Sequence, residues 1–270
     1  MKLEPPGRIP SPAADGVYDF QARISEILAG VDDPFVERSL SGMPLVALEP
    51  HPDDLVLSAG GWLAGSRRPL LVISVCSESA AVHPESDLHK RDRDEIVGIR
   101  HAENLAAVQA LRGELVELGM RDAEPPYRSH PASAGQELAE QIRPHLPGVP
   151  GKDFELIAPA SVTRHPDHIW VHQAARALGC SRFWEDVAFF PTYARNVEDR
   201  RWFAGSHGVD LEPQEIEIEA TLVAKARLLG CYPSQAPSLR EICGVLRYAW
   251  AVADESGLPD SFMEREYRLR

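Results

Sequence analysis

Short apolar runs alternate along this chain with stretches whose apolar residues recur at helical spacing. Residues 44–49, 70–75, 115–118 and 154–159 each carry three or more apolar side chains in succession, or nearly so, and predict four strands. The run Leu70-Leu71-Val72-Ile73-Ser74-Val75 has no polar face, which predicts a strand covered on both sides. Helices are expected from about Ser58, over roughly 88–111 (Ile96, Ile99, Leu105, Val108, Leu111), over 134–146, and from Asp167 to Leu178. Pro166 suits the first turn of that last helix, where a missing N–H costs nothing. Val17, Phe20, Ile24, Ile27 and Leu28 predict an amphipathic helix over 17–29 that covers one side of the sheet. Near the C-terminus, Ile216-Glu217-Ile218 alternates like a strand and runs into helices at 220–229 and 239–256. Strand–helix alternation with crossover-length connections predicts an α/β fold with a mostly parallel, doubly wound sheet. No repeat or sharp linker divides the sequence. The expectation is one domain over 1–270, with C-terminal additions from about 205 to 270.

Composition narrows the function. A chain of 270 residues with 44% hydrophobic content can build a sizeable core. The net charge of −13 argues against binding a phosphate backbone, so no nucleic-acid partner is expected. No stretch approaches the length of a membrane helix, and proline-rich residues 1–15 lack the apolar centre of a signal peptide. Cys76, Cys180, Cys231 and Cys243 show no CxxC spacing and read as buried thiols of a reducing, cytoplasmic protein.

Two of the predicted strands stop at reactive residues. The first ends in His51-Pro52-Asp53-Asp54, and the fourth is followed by His165-Pro166-Asp167-His168. Open parallel sheets hold ligands at the C-terminal edge, where these groups would emerge. Imidazole and carboxylate are zinc ligands, and His51 and Asp54, three residues apart, can face one centre with His168 as the third ligand. Asp53 then stands beside the metal as a general base, because a bound divalent ion brings a water pKa towards about 7. His165 can donate to an oxyanion or protonate a leaving amine, and Asp167 can orient either histidine. A single such turn would read as a proline turn whose carboxylates cap a helix. Two turns, each following a buried strand, favour a metal centre. His172, one turn beyond His168, reads as a packed or solvated helix residue rather than a fourth ligand.

At these residues the chain resembles the LmbE-like (PIG-L) zinc-dependent N-deacetylases. The resemblance rests on Pro50-His51-Pro52-Asp53-Asp54 and His165-Pro166-Asp167-His168. Arg100-x-x-Glu103 and Lys225 through Tyr232-x-Ser234-Gln235 add weaker matches, so that it runs from about residue 43 to 237. It implies a Rossmann-like fold and hydrolysis of an N-acyl group, usually acetyl on a glucosamine unit, in a small amino-sugar conjugate. It makes His51, Asp54 and His168 the ligands of one Zn2+, Asp53 the general base and His165 the electrostatic or acid partner. Two departures lie where substrate would approach. Leu55 replaces the common acidic residue, and Cys76-Ser77-Glu78 stands where a Thr/Arg-Gly-Glu sequence is frequent. Leu55-Val56-Leu57-Ser58 is closer to the branch acting on antibiotic or other secondary-metabolite sugars.

The polar loop at 77–90, with Ser77, Glu78, His83 and His89, is expected to form a substrate wall. The aromatics Trp170, Trp184, Tyr193, Trp202 and Tyr232 are candidates for the same wall, Trp170 first among them. A homo-oligomer is compatible with the sequence. Two other functions use the same residues: a non-heme iron oxygenase with a two-histidine, one-carboxylate triad, and a sugar-binding protein that keeps the fold without catalysis. The oxygenases are usually antiparallel barrels, which the strand–helix alternation disfavours. Loss of Asp53 or of a ligand would mark the binding protein, and all of them are present.

Overall fold

Among the described residues seven strands form one mixed sheet, and the order of its strands explains where the two histidine motifs meet. A computed structural model describes residues 40–123, 129–131, 133–187, 193–206, 210–236, 238–258 and 260–270. The described residues fall in one compact unit, Pro34–Arg270. The covering helix expected at 17–29 lies outside the described residues.

The strands are β1 (Leu45–Glu49), β2 (Leu70–Ser74), β3 (Glu114–Glu117), β4 (Glu155–Pro159), β5 (Arg182–Trp184), β6 (Leu211–Glu217) and β7 (Met263–Leu269). The helices are α1 (Asp54–Gly65), α2 (Arg93–Ala110), α3 (Ala134–Ile142), α4 (Pro166–Ala177), α5 (Tyr193–Ser206), α6 (Leu222–Leu229) and α7 (Leu239–Glu255). The sheet order is β3-β2-β1-β4-β5-β7-β6. Strands β1 to β5 are parallel, and β7 pairs antiparallel with both β5 and β6. From β1 the chain winds outwards through β2 to β3, then returns to place β4 on the other side of β1. This makes β1 and β4 the pair at which the winding reverses, and a ligand crevice opens there in folds of this kind. The expected α/β, mostly parallel Rossmann-like sheet is the observed one.

Strand β1 is apolar because water reaches neither of its faces: Leu45, Val46, Ala47 and Leu48 are each 0% exposed. Val46 and Leu48 share a core with Ile73, Leu156 and Ala158 of the neighbouring strands and with Leu138, Ile142, Val171 and Ala175 of α3 and α4. Burying one such branched side chain is worth about 1.5–3 kcal/mol, so the strands that carry the motifs are the firmest part of the sheet.

Three elements were absent from the sequence-based expectation: β5, α5 and β7. The strand expected at 216–218 is the end of a longer one, β6. Helix α1 starts at Asp54 rather than near Ser58, because Leu57 N–H donates to Asp53 O at 2.9 Å and the motif itself becomes the first turn. On the far side of α1, Gly61 permits close approach to Ile218, whose side chain lies 2.9 Å from where a Cβ would stand. There the Gly61 and Trp62 N–H groups donate to Glu264 of β7 (2.8 and 2.9 Å), and Lys225 of α6 pairs with the same carboxylate. No helix among the described residues is long and apolar enough to cross a membrane.

Candidate functional site

His51 follows β1, and His168 lies in the first turn of α4, which follows β4, so the sheet order brings them together. Asp54 joins them. Its Oδ2 lies 3.0 Å from His51 Nδ1 and 3.1 Å from His168 Nε2, and it accepts His51 N–H at 2.8 Å. His165 completes a triangle of rings, with centroids 4.9 Å from His51 and 5.3 Å from His168. One donor nitrogen from each of these three histidines falls within 4.8 Å of the other two. His165 is therefore close enough to be a ligand itself.

The turn that carries Asp53 and Asp54 is strained. Asp53 has φ +145°, a region side chains avoid at a cost of about 1–3 kcal/mol. It stands at the N-cap of α1, yet its side chain makes no capping bond. Instead Asp53 Oδ2 accepts from Arg100 Nη2 at 3.0 Å, and the same guanidinium donates to Pro52 O at 2.9 Å. A helix-capping role does not account for either carboxylate. Beneath the turn, Glu49 accepts from the N–H groups of Asp53 and Leu55 (3.3 Å each) and from Asn104 Nδ2 (2.8 Å). Tyr232 hydroxyl donates to Asn104 Oδ1 at 2.8 Å and is 1% exposed. This corrects the substrate-wall expectation for Tyr232, which supports the turn from within the core.

Both outer faces of the two imidazoles meet carboxylates. His51 Nε2 lies 3.0 Å from Asp167 Oδ2, and His168 Nδ1 lies 2.9 Å from Asp186 Oδ2. Asp167 also accepts Ala123 N–H and lies 2.8 Å from His130 Nε2. Asp167 N–H donates to His165 Nδ1 at 3.4 Å, which leaves the ring proton for Nε2. Asp186 accepts from the N–H groups of Val162 and Thr163, so it also fixes the loop before His165.

Sequence reasoning missed Glu49, Asn104, His130 and Asp186. Glu49 reads as an ordinary strand end, and the others are distant in the chain from both motifs. Arg100 carried a signal only as a weaker match to the family.

The charges of the pocket shift the acidity of its members. Burial works against a charged His51, but Asp54 and the bond to Asp167 outweigh it and raise the ring to about 9. Burial opposes charge on His168 too, and Asp54 and Asp186 raise it well above the usual range. Asp53 rises to about 7 through burial, with Arg100 pulling it back. Glu49 rises to about 8, again through burial. His165 falls to about 4, through burial and the two neighbouring rings. Two imidazoles held around one carboxylate oxygen, in a pocket rich in acid, favour a positive charge at their centre. That donor set fits a divalent ion.

The remaining expected residues are more scattered. Ser77 is buried and its Oγ accepts Gly119 N–H, whereas Glu78 is half exposed beside Arg121. Trp170 donates from Nε1 to Ala134 O, and its ring stacks on His130 at 4.2 Å. Trp184 is core, His83 is buried, and His89 bonds to Ser86 O within its own turn. Trp202 is half buried beneath Arg164. The Tyr193 side chain lies outside the described residues. His172 is packed as expected, with Nδ1 2.9 Å from Pro159 O and Phe183 against its ring. Cys76 and Cys180 are buried, but Cys231 and Cys243 are only half buried, against the expectation of four buried thiols.

Comparison with known proteins gives this geometry a context. Residues 46–178 match the family model described as PIG-L: GlcNAc-PI de-N-acetylase. A 2'-N-acetylparomamine deacetylase of Streptomyces fradiae is 33% identical over 175 residues, covering 57% of this chain and 60% of that protein. A 1D-myo-inositol 2-acetamido-2-deoxy-alpha-D-glucopyranoside deacetylase of Corynebacterium glutamicum (strain R) is 28% identical over 158 residues, 53% of this chain and 54% of that protein. The chain thus spans little more than half the length of these curated relatives. The solved structure of a deacetylase–bog complex from the teicoplanin biosynthesis pathway superposes with a TM-score of 0.62 at 20% identity, covering 84% of this chain and 98% of that one. Over residues 46–178, just under half of its length, the chain is thus similar to the PIG-L (LmbE-like) family.

Proposed function

We propose that this protein is a metal-dependent N-deacetylase that hydrolyses the acetamide of a glucosamine-type unit in a small amino-sugar conjugate. The observation that carries the reading is the Asp54 oxygen within 3.1 Å of a nitrogen on each of His51 and His168, with Asp53 buried beside it. The family match supports it, as do two relatives named for deacetylation of amino sugars. The better-matched of these two is named for 2'-N-acetylparomamine, and with the sequence around Leu55 we take the substrate to be a secondary-metabolite sugar. We assign the work to the cytoplasm, in keeping with its free thiols.

His51, Asp54 and His168 would hold the ion, zinc by ligand chemistry. Such an ion acidifies water and polarises an acyl oxygen. Asp53 takes the proton of the attacking water. Its carboxylate is held in one orientation by Arg100, and burial brings its pKa close to the working pH, where a base transfers protons best. His165 stays neutral and presents its Nε2 proton, so its role is to stabilise the oxyanion by hydrogen bonding. Of the two roles expected of it, this reading takes the electrostatic one. Asp53 then passes its proton to the departing nitrogen, which releases acetate and the free amino sugar. Asp167 fixes His51 and His165 together. Glu78, half exposed after β2, meets the incoming sugar, with Trp170 and Ser77 behind it.

The test is acetate release from a panel of N-acetylglucosaminyl compounds by zinc-loaded protein. Turnover of at least one of them is expected. No acetate from any of them, with one metal bound per chain, would overturn the reading.

A further inference from the structure

The His51 ring has a second donor set on its other side. His51, Cys76 and Asp167 each place one ligand atom within 4.8 Å of the other two. The ring turns Nδ1 to Asp54 and Nε2 to Asp167 Oδ2, each at 3.0 Å, so the two sets use opposite edges. Cys76 is fully buried, and its N–H donates to Pro50 O at 2.8 Å, which pins the thiol beside the exit of β1. Asp167 is equally buried at the start of α4.

We propose that His51, Cys76 and Asp167 form a second cation site, which takes thiophilic divalent ions such as cadmium, cobalt or zinc. Thiolate, imidazole and carboxylate together suit these ions, whereas magnesium and calcium prefer sites built from oxygen alone. On binding, the thiol and His51 Nε2 each give a proton to solvent, and sulfur, nitrogen and oxygen become ligands. A single imidazole serves an ion on each nitrogen only as an imidazolate. The ion at Cys76 therefore competes for His51 with the ion on the Asp54 side, and excess thiophilic metal inhibits. This last consequence rests on the proposed deacetylase reading, but the binding site itself does not.

The experiment adds Co2+ to the purified, reduced protein under argon and follows the thiolate-to-cobalt charge-transfer absorption in the near ultraviolet. Wild type is expected to develop the band. Cys76→Ser and Cys76→Ala are expected to lose it while keeping the weaker visible bands of cobalt held by histidine and carboxylate. Absence of the band in wild type, or its persistence in both variants, overturns the site. With a turned-over substrate in hand, the cadmium concentration that halves the rate should rise by about tenfold or more in Cys76→Ser, as expected when a metal contact is lost. An equal cadmium midpoint in both proteins refutes competition for His51. If no substrate is turned over, the deacetylase reading fails, while the absorption band still decides the site.

Discussion

Buried carboxylates occur in two parts of this protein and are treated in opposite ways. Around β5 and β7, three of them meet fixed cations. Glu264 faces Lys225, Glu266 faces Arg182 Nη2 at 2.6 Å, and Glu185 has Arg200 and Arg265 at 3.8 Å as well as two tyrosine hydroxyls. Past the ends of β1, β4 and β5, the carboxylates of Glu49, Asp53, Asp54, Asp167 and Asp186 are also buried. Of these, Asp53 has a guanidinium, and the others face imidazoles, amides and hydroxyls. An unpaired buried charge is costly, so the two arrangements answer one requirement differently. Lysine and arginine carry their charge permanently and make a region rigid. Histidine gives up its proton readily, so the positive charge in the first region can be exchanged for that of a metal ion. The donor set around His51 and His168 can thus accommodate a cation, as proposed above, whereas around β7 the fixed cations are already in place.

The largest effect that could break this contrast comes from Asp54. Asp54→Ala removes the oxygen shared by His51 and His168, and we expect loss of bound metal and of acetate release with the fold retained. Elemental analysis of the purified variant beside its circular dichroism decides it. Near-stoichiometric metal would mean that His51, His165 and His168 hold the ion alone, and the ligand assignment would change. Next comes Asp53→Asn, which keeps the shape of the turn and one acceptor for Arg100. Metal content should match wild type while turnover falls by about 10²–10⁴-fold, the usual worth of a positioned general base. A variant within a few-fold of wild type would move the base role to another residue.

In the paired region the prediction has the opposite sign. Lys225→Met leaves Glu264 buried without its cation, and breaking a buried pair on one side costs about 3–5 kcal/mol. Urea denaturation should register that loss, and metal affinity should not move. If Lys225→Met weakened metal binding instead, α1 would be transmitting strain between the regions, and the contrast would have to be given up.

What the sequence disclosed follows the same division. The parallel half was legible because a strand buried on both faces is a plain apolar run, and both histidine motifs sit directly after such runs. Strand β7, Met-Glu-Arg-Glu-Tyr-Arg-Leu, was not legible, because its inward residues Glu264 and Glu266 are charged and paired with partners distant in the chain. Strand β5 was missed for its length, three residues held between β4 and β7. Within the site the ligand candidates could be read from local spacing. Their supports could not, since Asn104 approaches Glu49 and Asp186 approaches His168 through tertiary packing alone. Tyr232 shows the converse error: an aromatic near the motifs in family context was read as wall and proved to be core.

Asp186 offers the smallest expected effect and the finest test. It belongs to neither motif, yet it lies 2.9 Å from His168 Nδ1 and accepts Val162 and Thr163 N–H at 2.6 and 2.8 Å. A carboxylate on the far nitrogen of a metal-binding histidine fixes its tautomer and strengthens it as a donor, and removing such a group typically lowers metal affinity by about 10–100-fold. Asp186→Asn retains an oxygen for the loop amides but loses the negative charge. The expected result is weaker metal binding in competition with a chromophoric chelator, and full activity once metal is in excess. Asp186→Ala should in addition loosen the loop that carries His165 and lower kcat at saturating metal. If Asp186→Asn bound metal as tightly as wild type, the residue would serve the loop alone, and the acid-rich character of the pocket would owe nothing to its outermost carboxylate.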